Sequence, residues 1–82
     1  MLYFLGIWSL KINSQYDNHL VVAFFDQTRL FHLQNDEIEE VELNGFDYQH
    51  QTLFCTNVIS NQYLQVKINK HKHFNKIINK YR

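Results

Sequence analysis

Six consecutive apolar residues, Leu20-Val21-Val22-Ala23-Phe24-Phe25, constrain this chain more than any other feature. A strand points successive side chains to opposite faces, so an unbroken apolar run needs cover on both. The polar pair Asp26-Gln27 follows, then a second β-like run, Thr28–Leu33. Two runs joined by two polar residues are expected to fold as a hairpin.

The same rhythm continues along the chain. Ile38–Leu43 (IEEVEL) is a strand studded with glutamates, with Val41 and Leu43 on the face of Glu39 and with Ile38 opposite, beside Glu40 and Glu42. Charge of this kind blunts an exposed sheet edge, which makes it the outermost strand. Asn44-Gly45 ends it, and Phe46–Gln51 is long enough to cross from an outer edge to an inner position. Thr52–Val58 is again β-rich, and a turn over residues 60–62 leads to Tyr63–Ile68. There Leu64, Val66 and Ile68 alternate with Tyr63, Gln65 and Lys67, which predicts that the aliphatic set is the buried face. Upstream, Tyr3–Ile12 is aromatic-rich and reads as one more strand. Paired strands with tight turns and one charged outer strand are the pattern of a β-propeller blade. The expected fold is all-β: about one and a half antiparallel blades of a propeller, four strands in the first and two in the next. Neighbouring blades would cover Leu20–Phe25.

Length and charge sharpen this. Eighty-two residues allow one small domain. A domain of such size buries roughly 60% of its unfolded surface, so its core is marginal. At 45% hydrophobic and 16% aromatic the chain is not a disordered one. Its zero net charge hides a split: residues 1–66 carry Lys11 and Arg29 against eight acids, net −6, and residues 67–82 carry six basic residues and no acid, net +6. Cys55 is the only cysteine, so no internal disulfide forms and a reducing compartment fits. None of the nine asparagines lies in an N-glycosylation sequon. The apolar start lacks a basic n-region and a small-residue cleavage site and is too short to span a bilayer, so it is expected to be a buried strand.

Residues 69–82 are written with few residue types. Phe74, Ile77, Ile78 and Tyr81 fall at i, i+3, i+4 and i+7, which predicts one apolar helical face with Lys76 and Lys80 off it. The division expected is therefore 1–68, a partial propeller domain, and 69–82, a basic low-complexity tail.

Several strings then coincide with a known family. Gly6-Ile7-Trp8 with Leu10, Gln27-Thr28-Arg29-Leu30, Glu40-Val41-Glu42-Leu43, Gly45-Phe46, Gln51-Thr52 with Phe54-Cys55, and Asn57-Val58 resemble, in order and spacing, the propeller-scaffold family of damaged-DNA-binding protein 1. Relatives in that family include large subunits of the cleavage and polyadenylation specificity factor and of splicing factor 3b. The resemblance spans Gly6–Ile68 and falls at the start of the second of three propellers. Thr56 departs from it, standing where the family has glycine, so a different bend is expected there. What the resemblance implies is a non-enzymatic adaptor, partnered by a cullin-type scaffold and by substrate receptors of the cullin-4 ubiquitin ligase. It would act in DNA damage recognition and repair in the nucleus and cytoplasm, meeting DNA only through a complex, with no membrane contact and no cofactor. The family-motif residues carried over are Trp8, Gln27, Thr28, Arg29, Glu40, Leu43, Gly45, Phe46, Gln51, Thr52 and Cys55.

Residue by residue, little points to chemistry. Cys55 beside His50 in sequence suggests a thiol nucleophile, but a lone cysteine within an apolar strand is expected to be a small buried hydrophobe. His71-x-His73 lacks a third metal ligand. Glu40 and Glu42 share a face while Glu39 points away, as on a solvated edge. Arg29 has two readings: a partner-facing anchor, or a cross-strand pair with a glutamate on the next strand. The tail also has two: a basic segment for nucleic acid or anionic membrane on a free-standing small β protein, or a frayed end of a truncated product. No glycine-rich phosphate loop exists.

Overall fold

The computed structural model describes residues 4–59, 62–69 and 72–80. They form seven strands: β1 Phe4–Leu10, β2 His19–Phe24, β3 Thr28–Gln34, β4 Glu37–Val41, β5 Gln51–Val58, β6 Gln62–Ile68 and β7 Phe74–Lys80. Two antiparallel sheets result, one ordered β1-β2-β3-β4 and one ordered β5-β6-β7. No helix occurs among the described residues.

The first sheet follows the expected blade. The β2–β3 hairpin closes where Phe24 N–H donates to the Gln27 carbonyl (2.8 Å). Phe25 lies in that turn and is 75% exposed, so the apolar run outlasts its strand by one residue. Asn35 and Asp36 turn β3 into β4 with φ of 51° and 66°, values asparagine and aspartate tolerate better than most residues. The acidic β4 is the sheet edge, its glutamates exposed and Val41 turned toward the core. Gly45 has φ of 84°, a conformation that costs a side chain. It drops Phe46 into the interior, 6% exposed.

β1 carries an irregularity in its pairing with β2 between Phe4 and Gly6. A Cβ at Gly6 would lie 2.6 Å from Cη2 of Trp8, so glycine is required for the indole to lie flat along its own strand. Gly6→Ala should displace that ring and cost about 1–3 kcal/mol. Trp8 is the only tryptophan, so a red shift of intrinsic fluorescence reports the displacement directly.

The second sheet departs from expectation in two ways. First, Phe74–Lys80 is not a helix. It is a strand, β7, paired along β6 from Gln62↔Lys80 to Ile68↔Phe74. Lys72, at φ of 65°, and hydrogen bonds between Asn69 and His73 and from Lys72 N–H to the Asn69 carbonyl form the turn. The open edge of β6 satisfies every second backbone group of this segment, whereas an isolated helix of ten residues is marginal in water. Tyr81, the last residue of the expected helical face, lies outside the described residues, as do Ser60 and Asn61 of the expected turn. Second, the faces of β6 are reversed. Tyr63 and Gln65 are fully buried, and Leu64, Val66 and Ile68 are half-buried on the other side.

The two sheets pack through β1 and β2 against β5. Their shared core is Leu10, Ile12, Val21, Leu30, Phe46, Cys55 and Tyr63, with Trp8, Val41, Leu43 and Tyr48 around it. Full burial of one such aliphatic side chain contributes about 1.5–3 kcal/mol. The chain thus covers one face of β2, that of His19, Val21 and Ala23. Leu20, Val22 and Phe24 face outward with Ile7, itself 51% exposed. The outer face of the second sheet likewise shows Phe54, Phe74 and Ile78. Two layers with apolar outer faces are part of a propeller, in which each blade is sandwiched between others.

Candidate functional site

The family-motif residues do not gather round a cleft. Most of them gather at the joint where the two sheets meet. β3 opens at Thr28 and β5 opens at Gln51-Thr52, and the joint places the two threonines in contact, Oγ1 to Oγ1 at 2.7 Å. Thr28 Oγ1 also donates to the His50 carbonyl (2.7 Å). Its one hydrogen is thereby used, so Thr52 must donate to Thr28. Thr52 Oγ1 in turn accepts from Gln65 Nε2 (2.8 Å). The order is Gln65 amide, Thr52 hydroxyl, Thr28 hydroxyl, His50 carbonyl, with a single consistent direction.

Gln65 is the hinge of this network. Its second Nε2 hydrogen goes to the Asp47 carbonyl (2.9 Å), and its Oε1 accepts from Asp47 N–H (3.0 Å). The side chain so mimics a neighbouring strand for the loop between β4 and β5. Thr28 N–H holds the same loop by donating to the Tyr48 carbonyl (3.0 Å). No buried side-chain polar atom among the described residues lacks a partner. Where a buried network is satisfied at every member it rigidifies the structure around it.

The Asp47 carboxylate lies beside the network. It pairs with Lys67 Nζ and His50 Nδ1 and accepts from Gln49 N–H (2.9 Å). Burial pushes this carboxyl up, but the hydrogen bonds from Lys67, His50 and Gln49 outweigh it and hold it below the usual carboxylate range. Above the network, Phe46 lies between Tyr48 and Tyr63, ring centroids 5.0 and 5.7 Å away. Leu43 N–H donates to Tyr48 Oη (2.5 Å), tying the end of the acidic strand to this aromatic group. At the far end of the sheets Asn57 bonds the Lys11 backbone twice, through Oδ1 and Nδ2, each at 2.8 Å. A cleft of about 200 Å³ opens at the other end, between Phe25, His50, Ile68 and Lys72.

The remaining motif residues have distinct places. Trp8 packs against the core, and Cys55 is inside it. Burial pushes the Cys55 thiol up to about 12, so at neutral pH it is a thiol and not a thiolate. Gln27 closes the hairpin turn through its carbonyl, Gln51 begins the β5–β6 ladder, and Glu40 is exposed on the sheet edge. Thr56 pairs regularly with Leu64, and the strand's irregularity falls instead between Thr52 and Phe54. Arg29 does not pair with a glutamate among the described residues. Its guanidinium lies 5.6 Å from the Phe24 ring centroid on the outward face. The β3–β4 ladder stops at Leu30↔Val41, so Glu42, which would come next opposite Arg29, has already left it. His71 lies outside the described residues, and no metal-ligating cluster occurs among those described.

His19 is a second buried polar group. Its Nδ1 lies 2.9 Å from Asn18 Oδ1, which can only accept, so Nδ1 carries the proton. Burial, and then the charge of His32 stacked 4.8 Å away, lower its pKa to about 4. The unfolded chain takes up this proton near pH 6.5 and the folded chain does not. Stability is therefore whole above pH 6.5 and falls as pH drops toward 4, and Asp47 extends the loss below that. Melting temperatures measured between pH 7 and pH 4 should decline, and His19→Gln should flatten the decline.

Asp47, Gln65 and Lys67 were not marked by any sequence string. The one signal was a glutamine placed in a strand otherwise suited to burial.

Comparison with known proteins accounts for the joint. The family model for the second β-propeller of RSE1, DDB1 and CPSF1 matches residues 4–81. The chain belongs to this propeller family. The match continues through β7, past Ile68, where the resemblance in sequence was expected to stop. DNA damage-binding protein 1 of Oryza sativa subsp. japonica is 49% identical over 67 residues, 78% of this chain and 6% of that protein. DNA damage-binding protein 1a of Arabidopsis thaliana is 46% identical with the same coverage, and the Drosophila melanogaster protein is 45% identical over 64 residues, 74% of this chain and 6% of its own length. The chain thus spans about 6% of the length of these relatives. Within the propeller family, the Thr28–Thr52–Gln65 network is a fastening between consecutive blades.

Proposed function

We propose that these blades serve a non-enzymatic scaffold that joins a cullin-4 ubiquitin ligase to substrate receptors in DNA damage recognition. It acts in the nucleus and cytoplasm and meets DNA only within a complex. The observation that carries this reading is the match of residues 4–81 to the propeller family, together with relatives named for DNA damage binding. The chemistry of the joint supports it. The hydroxyls, the amide and the Asp47 carboxylate are all engaged in holding two layers together, and the Cys55 thiol is protonated. Arg29, on the outward face of β3 with its guanidinium over Phe24, is the side chain we assign to partner contact.

The tagged chain, co-expressed with a cullin-4 scaffold, should co-purify with it and bind saturably in titration calorimetry. A chain that retains its strand circular dichroism and a cooperative melt yet shows no binding would falsify the reading. Binding to a DNA duplex that falls steeply with salt would point instead to residues 69–82 as a nucleic-acid segment.

A further inference from the structure

Two backbone edges have no strand beside them among the described residues: the outer edge of β4 and the outer edge of β7. Each offers a row of N–H and C=O groups that a further strand can take. The two edges are complementary. On β4, Ile38 and Glu40 face outward from the first sheet; on β7, Lys76 and Ile78 face outward from the second. All four are exposed, Ile38 at 69% and Ile78 at 52%. Laid antiparallel, the edges bring Ile38 opposite Ile78 and Glu40 opposite Lys76 in a single register. Pairing β4 with another β4 would instead crowd glutamates together, which is unfavourable.

Strand directions permit this arrangement. Asn57, near the end of β5, bonds Lys11, just beyond the end of β1. Thr52, near the start of β5, meets Thr28 at the start of β3. β1, β3 and β5 therefore run the same way, and β4 and β7 run opposite ways. A two-fold axis along the strands then sets β4 of each copy antiparallel to β7 of the other, with outward faces on the same side.

We infer that this chain binds a second copy of itself through two such seams, each a β4 edge against a β7 edge. The sheets of the two copies become continuous, and the interface is self-complementary, as a two-fold dimer requires. The inference goes beyond the adaptor reading and does not depend on it.

Sedimentation equilibrium of the 82-residue chain should show a dimer at low ionic strength that weakens as salt rises. Lys76→Glu and Glu40→Lys should each weaken it about tenfold, since each turns an attractive pair repulsive in both seams. The double variant should recover the original affinity, because unlike charges again face one another. A chain that stays monomeric at low salt overturns the proposal. So does a double variant as weak as the single ones, or loss with Lys76→Glu alone, which would indicate β7 against β7. Single variants without effect would place any dimer on the outer apolar faces and overturn it equally.

Discussion

Gln65→Leu should lower stability by about 2–4 kcal/mol, although leucine fills nearly the same space. The loss arises from what is left behind. Asp47 N–H and its carbonyl lose their partner, and Thr52 Oγ1 loses its donor. Each polar group stranded away from water costs about 1–3 kcal/mol, and a partly wet loop recovers some of that. Urea denaturation measures the change as a shift in midpoint at constant slope. Amide exchange at Asp47 should speed up in the variant, because the loop loses the side chain that stands in for a strand. A change below about 0.5 kcal/mol would mean that the network adds nothing to the joint beyond its volume.

The second large effect concerns which side of β6 is inside. Tyr63→Ala should cost about 3–5 kcal/mol, as large aromatic truncations in cores do. Tyr63 is 1% exposed and its ring stacks near Phe46, so the cavity opens at the centre of the shared core. Leu64→Ala, on the half-buried opposite face, should cost only about 1–1.5 kcal/mol. For a chain of this size total stability is on the order of 4–12 kcal/mol, so Tyr63→Ala approaches global unfolding. A thermal melt of both variants decides it; an equal or reversed ranking would put the aliphatic face inside.

These two residues mark where reading the sequence succeeded and where it misled. Strand positions were legible because β-rich runs and turn residues alternate cleanly from Tyr3 to Ile68. The acidic edge was legible because Glu39, Glu40 and Glu42 have no place inside a sheet. The inside of β6 was misjudged because period-2 hydropathy ranks Leu64, Val66 and Ile68 above Tyr63, Gln65 and Lys67. That ranking assumes polar groups reach water, and it fails where Thr52 and the Asp47 backbone satisfy Gln65. The tail was misjudged for a related reason. Its helical spacing of Phe74, Ile77 and Ile78 is real, but helices and strands can both hold three apolar residues, and the neighbour chooses.

From the chain alone one could know that it is β throughout its first 68 residues, that its apolar runs need layers on both sides, and which family its strings resemble. Those follow from local pattern, since alternation and turn chemistry act over a few residues. Contacts across 13 to 46 positions decided the rest: the threonine pair, the grip of Gln65 on a distant loop, the Asn57 clasp on Lys11, and the conversion of the tail into an edge strand. Such choices depend on which unsatisfied backbone and side-chain groups folding brings together, and no window of sequence contains both partners.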